Sequence, residues 1–313
     1  MAKLVSVLVL SYNSSEYIVQ TLESIKNQTY QNIELIISDD CSSDETISLA
    51  KRWLEFNAYR FVRTIININP SNRGTVKNFN NGIKFCKGFY IKPISADDIL
   101  DSMCVEVNYN ECYKNNYNVL FSKVKKFEDN KIDSMRDEDY SIMIKCCNQA
   151  APLQMKVLSY ANFTSAPTFF VERRLLISLN YFDEKYQLLE DYPMWLKMTE
   201  NGIKLNFLDA VTVYYRIHAN SISNCKNSNI VGNIKYYLDC RSFFFNVRLK
   251  RLFQYGYFYK AYKELIQYAY KDLVIRAGNK KTPTTAIVKL VLLLDPGIFI
   301  SIINNRLFKK IYD

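Results

Sequence analysis

Short apolar runs alternate with amphipathic segments through the first hundred positions. Val5-Ser6-Val7-Leu8-Val9-Leu10 reads as a buried strand, and Ser11-Tyr12-Asn13-Ser14-Ser15 as the turn and helix cap behind it. Ile18, Leu22 and Ile25 then recur on one face of a helix. A second strand over 33–38 ends in Asp39-Asp40, after which Ser42, Ser43 and Asp44 cap a helix that runs through Trp53. A third strand over 63–68, a polar loop over 69–74 and a helix over 76–86 lead into Tyr90-Ile91-Lys92-Pro93-Ile94-Ser95-Ala96-Asp97-Asp98-Ile99-Leu100, an apolar strand that stops at two adjacent acids. Strand and helix in alternation predict right-handed βαβ units and a parallel sheet.

Both acid pairs fall at the carboxyl ends of strands. Open α/β sheets bind their ligands there, and rigid backbone can present oxygen ligands to a divalent cation. A solvated turn accounts for either pair alone, whereas one metal-bound phosphate accounts for both. Downstream come a helix, a strand around Val119-Leu120-Phe121, a polar acidic loop over 128–139 and a further strand at Ala166-Pro167-Thr168-Phe169-Phe170-Val171. Glu190-Asp191 stands before a helix with Pro193 in its first turn and Trp195, Leu196 and Met198 on its apolar face. A helix dipole stabilises carboxylates at that position, so a plain cap and a functional acid are both open. A strand over 211–215 leads into Arg216-Ile217-His218-Ala219-Asn220-Ser221-Ile222-Ser223; His218 is the one histidine, which excludes a His-rich metal site.

Composition narrows the class. With 49% hydrophobic and 23% charged residues over 313 positions, the chain is globular and long enough for a large α/β domain with an appendage. Its 8 glycines form neither a dinucleotide fingerprint nor a P-loop. The 8 cysteines lack paired metal-type spacing and read as reduced thiols of a cytosolic protein, and the N-terminal apolar run reads as a strand rather than a secretory signal. The net charge of +10 is unevenly placed: residues 225–313 carry 16 Lys+Arg against 5 Asp+Glu, and the first 224 carry 25 against 26. The basic, aromatic tail, with helices expected near 231–253 and 257–275, suits peripheral contact with an anionic membrane. An apolar run over 286–303 contains Lys289 and is broken at Asp295-Pro296-Gly297, a poor membrane span. A packed helical subdomain, or a homodimer through the C-terminal helices, fits the same pattern.

Taken in order, Val5-Ser6-Val7 to Ser11-Tyr12-Asn13, Gln28-Thr29-Tyr30, the stretch from Glu34 through Asp39-Asp40 to Thr46, Asn72-Arg73-Gly74 with Asn80-Asn81-Gly82, and Ser95-Ala96-Asp97-Asp98 resemble glycosyltransferase family 2 over residues 3–224. The resemblance implies an α/β fold of the GT-A kind, Rossmann-like with a mixed, mostly parallel sheet and flanking helices. It places a catalytic domain at 1–224, with a nucleotide-binding half at 1–100 and an acceptor-binding half at 101–224, and a helical extension at 225–313. It also implies an inverting transfer from a nucleotide-sugar, usually a UDP-sugar, to a glycan or lipid-linked acceptor in bacterial surface-polysaccharide synthesis. Mn²⁺ or Mg²⁺ would be the cofactor, nucleic acid would not be a partner, and the location would be the cytoplasmic face of the inner membrane.

Carried over by position, Tyr12 and Asp40 would hold the base, with Leu10 and Asn13 in the same nucleotide-sugar site. Asp97 would reach the ribose or the metal, Asp98 would ligate the metal, and His218 would take metal or phosphate. Arg216 and Ser221 would bind phosphate oxygens, and Asp191, beside Glu190, would be the catalytic base. Cys41 stands where the family often has Gly or Asn, and Phe79 where many members have Arg, which passes the cationic phosphate contact to Arg73 or Lys77. A nucleotidyltransferase would share topology and acids but carries a glycine-rich N-terminal loop where this chain has Ser11-Tyr12-Asn13. The basic tail also suggests a non-enzymatic nucleic-acid binder.

Overall fold

The computed structural model describes residues 2–128, 131–136, 139–218 and 231–280. They form two compact units, one of residues up to 155 together with 163–218, the other of 156–162 together with the described residues from 231 onward.

The first unit opens with β1 (Val5–Ser11), α1 (Ile18–Lys26), β2 (Ile33–Asp39), α2 (Thr46–Asn57), β3 (Arg63–Ile68), α3 (Thr75–Phe85) and β4 (Tyr90–Ser95). It continues through β5 (Ile99–Leu100), α4 (Cys104–Asn115), β6 (Val119–Glu128), β7 (Lys131–Arg136), α5 (Ser141–Cys147), α6 (Ala151–Tyr160), β8 (Phe170–Glu172), α7 (Arg173–Ser178), α8 (Asp191–Glu200) and β9 (Asn206–Ile217). The last turn of α6 belongs to the other unit. The strands make one sheet in the order β3-β2-β1-β4-β8-β6-β9-β5, with β7 on β6. β1 pairs in parallel with both β2 and β4, so the strand order reverses between them and their carboxyl ends open a crevice.

Packing explains the regular part. β2 is buried along its whole length and β1 nearly so, as expected of parallel strands covered on both faces. Ile18, Leu22 and Ile25 of α1 are fully buried in a cluster with Val5, Val7, Val9, Leu35 and Ile37 of the sheet. Two expectations change. The stretch 128–139 is not simply a polar loop: β6 extends to Glu128, and β7 folds back on it, placing Glu128 opposite Lys131 and Lys126 opposite Arg136. Its polar sequence still pairs because an edge ribbon needs its backbone groups satisfied more than its side chains buried. The strand expected over 166–171 is a 3-10 turn at Ala166–Thr168 followed by β8.

The second unit contains α9 (Ile234–Phe243), a π-helical turn at Phe244–Arg248, α10 (Leu249–Gln254) and α11 (Phe258–Arg276). Phe244, Leu252 and Ala261 form its core, with Tyr160 and Tyr257 packed against them. The buried Arg248 guanidinium bonds both oxygens of Glu264, at 2.8 and 2.9 Å, and the Tyr160 carbonyl at 2.7 Å. Residues 156–162, which the sequence assigns to the catalytic domain, thus join the helical unit because they complete its buried ion pair. No helix among the described residues is long and apolar enough to cross a membrane. The apolar run over 286–303 lies outside them.

At the end of the sheet opposite the crevice, Glu34 is wholly buried. Its Oε1 accepts from Ser6 Oγ at 2.5 Å and from the backbone N–H groups of Lys87 and Gly88 at 2.5 and 2.9 Å, while Arg63 donates to Oε2 at 2.7 and 3.0 Å. Gly88 leaves the necessary room, since a Cβ there would lie 2.4 Å from Ser6 N. Burial pushes the carboxyl up, but the bonds from Ser6, Lys87, Arg63 and Gly88 outweigh it and hold the group below its ordinary value. A depressed folded-state pKa contributes stability that is present above the unfolded value of about 4.3 and is lost as pH falls through the folded one. Glu34→Ala, which strands buried donors and Arg63, is expected to cost about 3–5 kcal/mol in urea unfolding at pH 7 and to flatten the acid limb of stability against pH.

Candidate functional site

Three loops converge at the crevice. After β1, Ser11 Oγ donates to Asp39 at 2.8 Å, and Tyr12 stands 48% exposed. Asn13 has φ +46°; its N–H meets Ser42 Oγ at 2.8 Å and its Oδ1 accepts from Ser43 N at 2.9 Å. Asp44 joins the same two loops by accepting from Ser15 N and Thr46 N, each at 3.0 Å. The Leu10 carbonyl accepts from Ala96 N at 3.0 Å, which locks the third loop to β1. Asp40 is buried, and its carboxylate receives Arg73 N at 3.0 and 3.1 Å, Gly74 N at 2.7 Å and Asn69 Nδ2 at 3.0 Å. It therefore shapes the turn between β3 and α3, and any contact with a base would be additional to that task. The Arg73 side chain is exposed and Lys77 half-buried; neither forms an ion pair among the described residues.

The acids after β4 separate into two environments. Asp97 is partly exposed, and its Oδ2 lies 2.9 Å from His218 Nε2. Asp98 is 1% exposed, and its Oδ1 accepts the Arg216 N–H at 3.0 Å. Burial, followed by the charge of Asp97, pushes the Asp98 carboxyl well up. The Asp97-Asp98 turn is supported from below by Thr21, whose hydroxyl reaches the carbonyls of Ala96 and Asp98 at 2.9 and 2.7 Å. It is held from the side because β5 pairs with β9, bringing residues 216–218 alongside.

Arg216 is 1% exposed, with its guanidinium carbon 4.6 Å from the Tyr17 ring centre and 4.7 Å from that of Phe127. Its Nε donates to the Asp97 carbonyl at 2.8 Å and its terminal nitrogen to Gln20 Oε1 at 2.6 Å. Arg216, expected from the sequence at phosphate, is placed with its Nε on the turn and one terminal nitrogen on α1. Asp98, expected as a metal ligand, stands buried at the same turn with one carboxylate oxygen on the Arg216 N–H. Ser221 lies outside the described residues.

Asp191 opens α8, with Glu190 at its cap; both are half-buried. The helix is seated by Trp195, which is 1% exposed and whose ring centre lies 4.8 Å from Phe121, edge to face, and 4.6 Å from Phe169. One buried cation escaped the sequence reading. Lys92, inside β4, sends its Nζ to the carbonyls of Pro167 and Phe169 at 2.5 and 3.4 Å, and burial pushes its ammonium down. A lysine inside an otherwise apolar strand was the available signal.

Residues 6–177, over half of the chain, match Glycosyl transferase family 2. WfaP of Escherichia coli, a UDP-Glc:alpha-D-GlcNAc-diphosphoundecaprenol beta-1,3-glucosyltransferase, is 30% identical over 239 residues, covering 73% of this chain and 83% of its own. The chain belongs to glycosyl transferase family 2. WfgD of the same organism, a second enzyme of that description, is 27% identical and covers 71% of this chain and 81% of its own. Among solved structures, residues 1–349 of S. aureus TarS in complex with UDP-GlcNAc superpose with a TM-score of 0.57 at 20% identity, over 80% of this chain and 66% of that one. The chain spans 37% of the longer TarS structure. The sheet and flanking helices are thus those of the GT-A fold, and membership decides against the nucleotidyltransferase alternative.

The glycosyltransferase carries Cys41 at a position where Gly or Asn was the expectation. Cys41 has φ +64°, a conformation that Gly and Asn adopt more readily than other residues. For the brace, Arg216→Lys keeps the charge and loses the planar fork between Tyr17 and Phe127. The expected result is a loss of about 1–3 kcal/mol in chemical denaturation, the range for buried partners left unmet. Unchanged unfolding would show that the fork is dispensable.

Proposed function

We propose that this glycosyltransferase moves a sugar, with inversion, from a UDP-sugar to a glycan on a lipid-diphosphate acceptor during assembly of a bacterial surface polysaccharide. WfaP and WfgD, whose names give a UDP-Glc donor and a diphosphoundecaprenol-linked GlcNAc acceptor, support the donor and acceptor classes. The TarS structure with UDP-GlcNAc supports the donor class as well. The observation that carries the reading is the Asp97 carboxylate against His218 Nε2, 2.9 Å apart at the carboxyl end of β4.

That pair suits a divalent cation. A carboxylate and an imidazole on rigid strand ends supply two protein ligands, and a cation serving a diphosphate characteristically keeps its remaining positions for phosphate oxygens and water. Among the described residues no group of three His, Cys, Asp or Glu side chains gathers. Asp97 and His218, rather than Asp98, would hold Mn²⁺ or Mg²⁺, which when bound neutralises charge on the leaving diphosphate. Tyr12 and Asn13 flank the base with Leu10 beneath, Asp40 holds the turn that offers Arg73, and Arg73 and Lys77 meet phosphate oxygens. Asp191, at the head of α8, takes the proton from the attacking acceptor hydroxyl on the face opposite the nucleotide, and Glu190 orients the acceptor. The basic helical unit, which exposes Ile234, Leu238 and Phe245 beside Lys235 and Arg241, contacts anionic lipid at the cytoplasmic face of the inner membrane.

A screen of UDP-, GDP- and dTDP-sugars with a polyprenyl-diphosphate-GlcNAc acceptor, read as release of nucleoside diphosphate with and without Mn²⁺, tests the reaction; no turnover of any UDP-sugar would overturn it. Asp97→Ala should weaken Mn²⁺-dependent UDP binding by about 10–100-fold, while Asp98→Asn, which retains an acceptor for Arg216 N–H, should be milder. The reverse order would return the metal to Asp98. Asp191→Asn should cut transfer by about 10²–10⁴-fold and leave UDP binding near the parent value. Transfer at the parent rate would remove the base from Asp191.

A further inference from the structure

The base proposed above opens α8, but the ten residues before it form no helix or strand. Something other than regular backbone pairing must fix where α8 begins. Within that approach Phe182, Tyr186 and Leu189 are buried.

The anchor is α3. Asn80, itself 3% exposed, acts on the approach as a strand of backbone would: its Oδ1 accepts the Phe182 N–H at 3.0 Å, and its Nδ2 donates to the Phe182 carbonyl at 3.0 Å and to Glu184 Oε1 at 3.0 Å. One residue earlier on the helix, the Phe79 ring stacks on Phe182 with centres 4.3 Å apart. At the start of the helix, Val76 N donates to the Gln187 carbonyl at 3.1 Å. Gly74, at φ +88°, admits that carbonyl, since a Cβ there would lie 2.6 Å from it.

The other side of α3 is seated just as firmly on the donor strands. Asn78 Nδ2 donates to the Ser38 carbonyl at 2.8 Å, and a Cβ on Gly82 would lie 2.6 Å from Leu8 and 3.0 Å from Ser38. Asp40 holds the N–H groups of Arg73 and Gly74 immediately before the helix. A continuous set of contacts therefore runs from β1 and β2, through α3, to residues 182–187, from which three residues of chain lead to Asp191.

We propose that Asn80 is a positioning residue for sugar transfer, clasping the 182–187 approach to the donor half of the sheet and thereby setting the place of Asp191 relative to the donor. The proposal rests on the reading of Asp191 as base. Misplacing a reacting group by an ångström costs on the order of 10²-fold in rate without a matching loss of binding.

The test compares the full-length parent, Asn80→Ala and Phe79→Leu. Amide hydrogen exchange is followed over 182–196, UDP affinity is measured by calorimetry, and kcat and KM are measured with the UDP-sugar found in the screen. Asn80→Ala is expected to accelerate exchange at Phe182 and over the start of α8 and to leave exchange over 5–10 and 33–38 as in the parent. UDP affinity and donor KM should stay within about 2-fold while kcat falls by about 10–100-fold. Phe79→Leu loosens the same segment with every hydrogen bond of Asn80 retained, so it should show the same split with a smaller drop; it carries the test if Asn80→Ala is poorly folded. Unchanged exchange over 182–196 overturns the proposal, as does a fall in UDP affinity that parallels the fall in kcat. Hydrogen exchange reads the clasp independently of turnover, and Asp191→Asn in parallel reads the base, so failure of one is distinguishable from failure of the other.

Discussion

A guanidinium removed from water must have its charge and its donors met inside the protein, and Arg216 imposes that requirement on the whole donor end of the sheet. Its charge is accommodated between the faces of Tyr17 and Phe127, its Nε and one terminal nitrogen donate to the Asp97 carbonyl and Gln20, and its backbone N–H donates to Asp98. Those partners come from α1 and the residue before it, β6 and the turn after β4, so satisfying one side chain brings three parts of the fold into register. Asp97 is left turned outward and His218, two residues beyond Arg216, is delivered to it. The two adjacent acids differ because one closes the brace and the other does not.

The same economy recurs with carboxylates. Asp40 organises the turn before α3, Glu34 closes the opposite end of the sheet, and Glu264 neutralises Arg248 in the helical unit. In each case a buried ion is matched by two or more hydrogen bonds, the condition under which such a group can remain in the interior. A chain with few glycines can still make close turns at its nucleotide end because Asn, Asp and Ser side chains serve as hydrogen-bonding partners there, as Asn13, Asp44 and Asn69 show. Glycine stands at two places in this unit where a Cβ would collide with backbone, Gly74 against Gln187 and Gly88 against Ser6.

Such a division separates scaffold from chemistry. Arg216, Asp98, Lys92 and Asn80 are buried and committed to holding backbone, whereas Tyr12, Arg73 and Asp97 keep exposed surface at the crevice. The four buried side chains fix the backbone from which the exposed ones project.

The parallel half of the fold was legible in the sequence. Ile18, Leu22 and Ile25, the apolar runs of β1 and β2 and the acids at their ends follow from periodicity, and periodicity reports which face of an element is buried. The ordered motifs likewise pointed to the family and to Asp191 at the head of a helix. Polarity alone misread β7, since paired backbone at a sheet edge needs no apolar signature. Which partners each polar side chain meets was decided only by tertiary structure: Asp97 stands beside His218, Asp98 accepts the Arg216 N–H, and Asn80 holds Phe182. The deciding contacts join residues 118 positions apart for Asp98 with Arg216 and 102 for Asn80 with Phe182. A charged or amide side chain takes its role from the donors and acceptors that folding brings within about 3 Å, and no local pattern encodes which ones those will be.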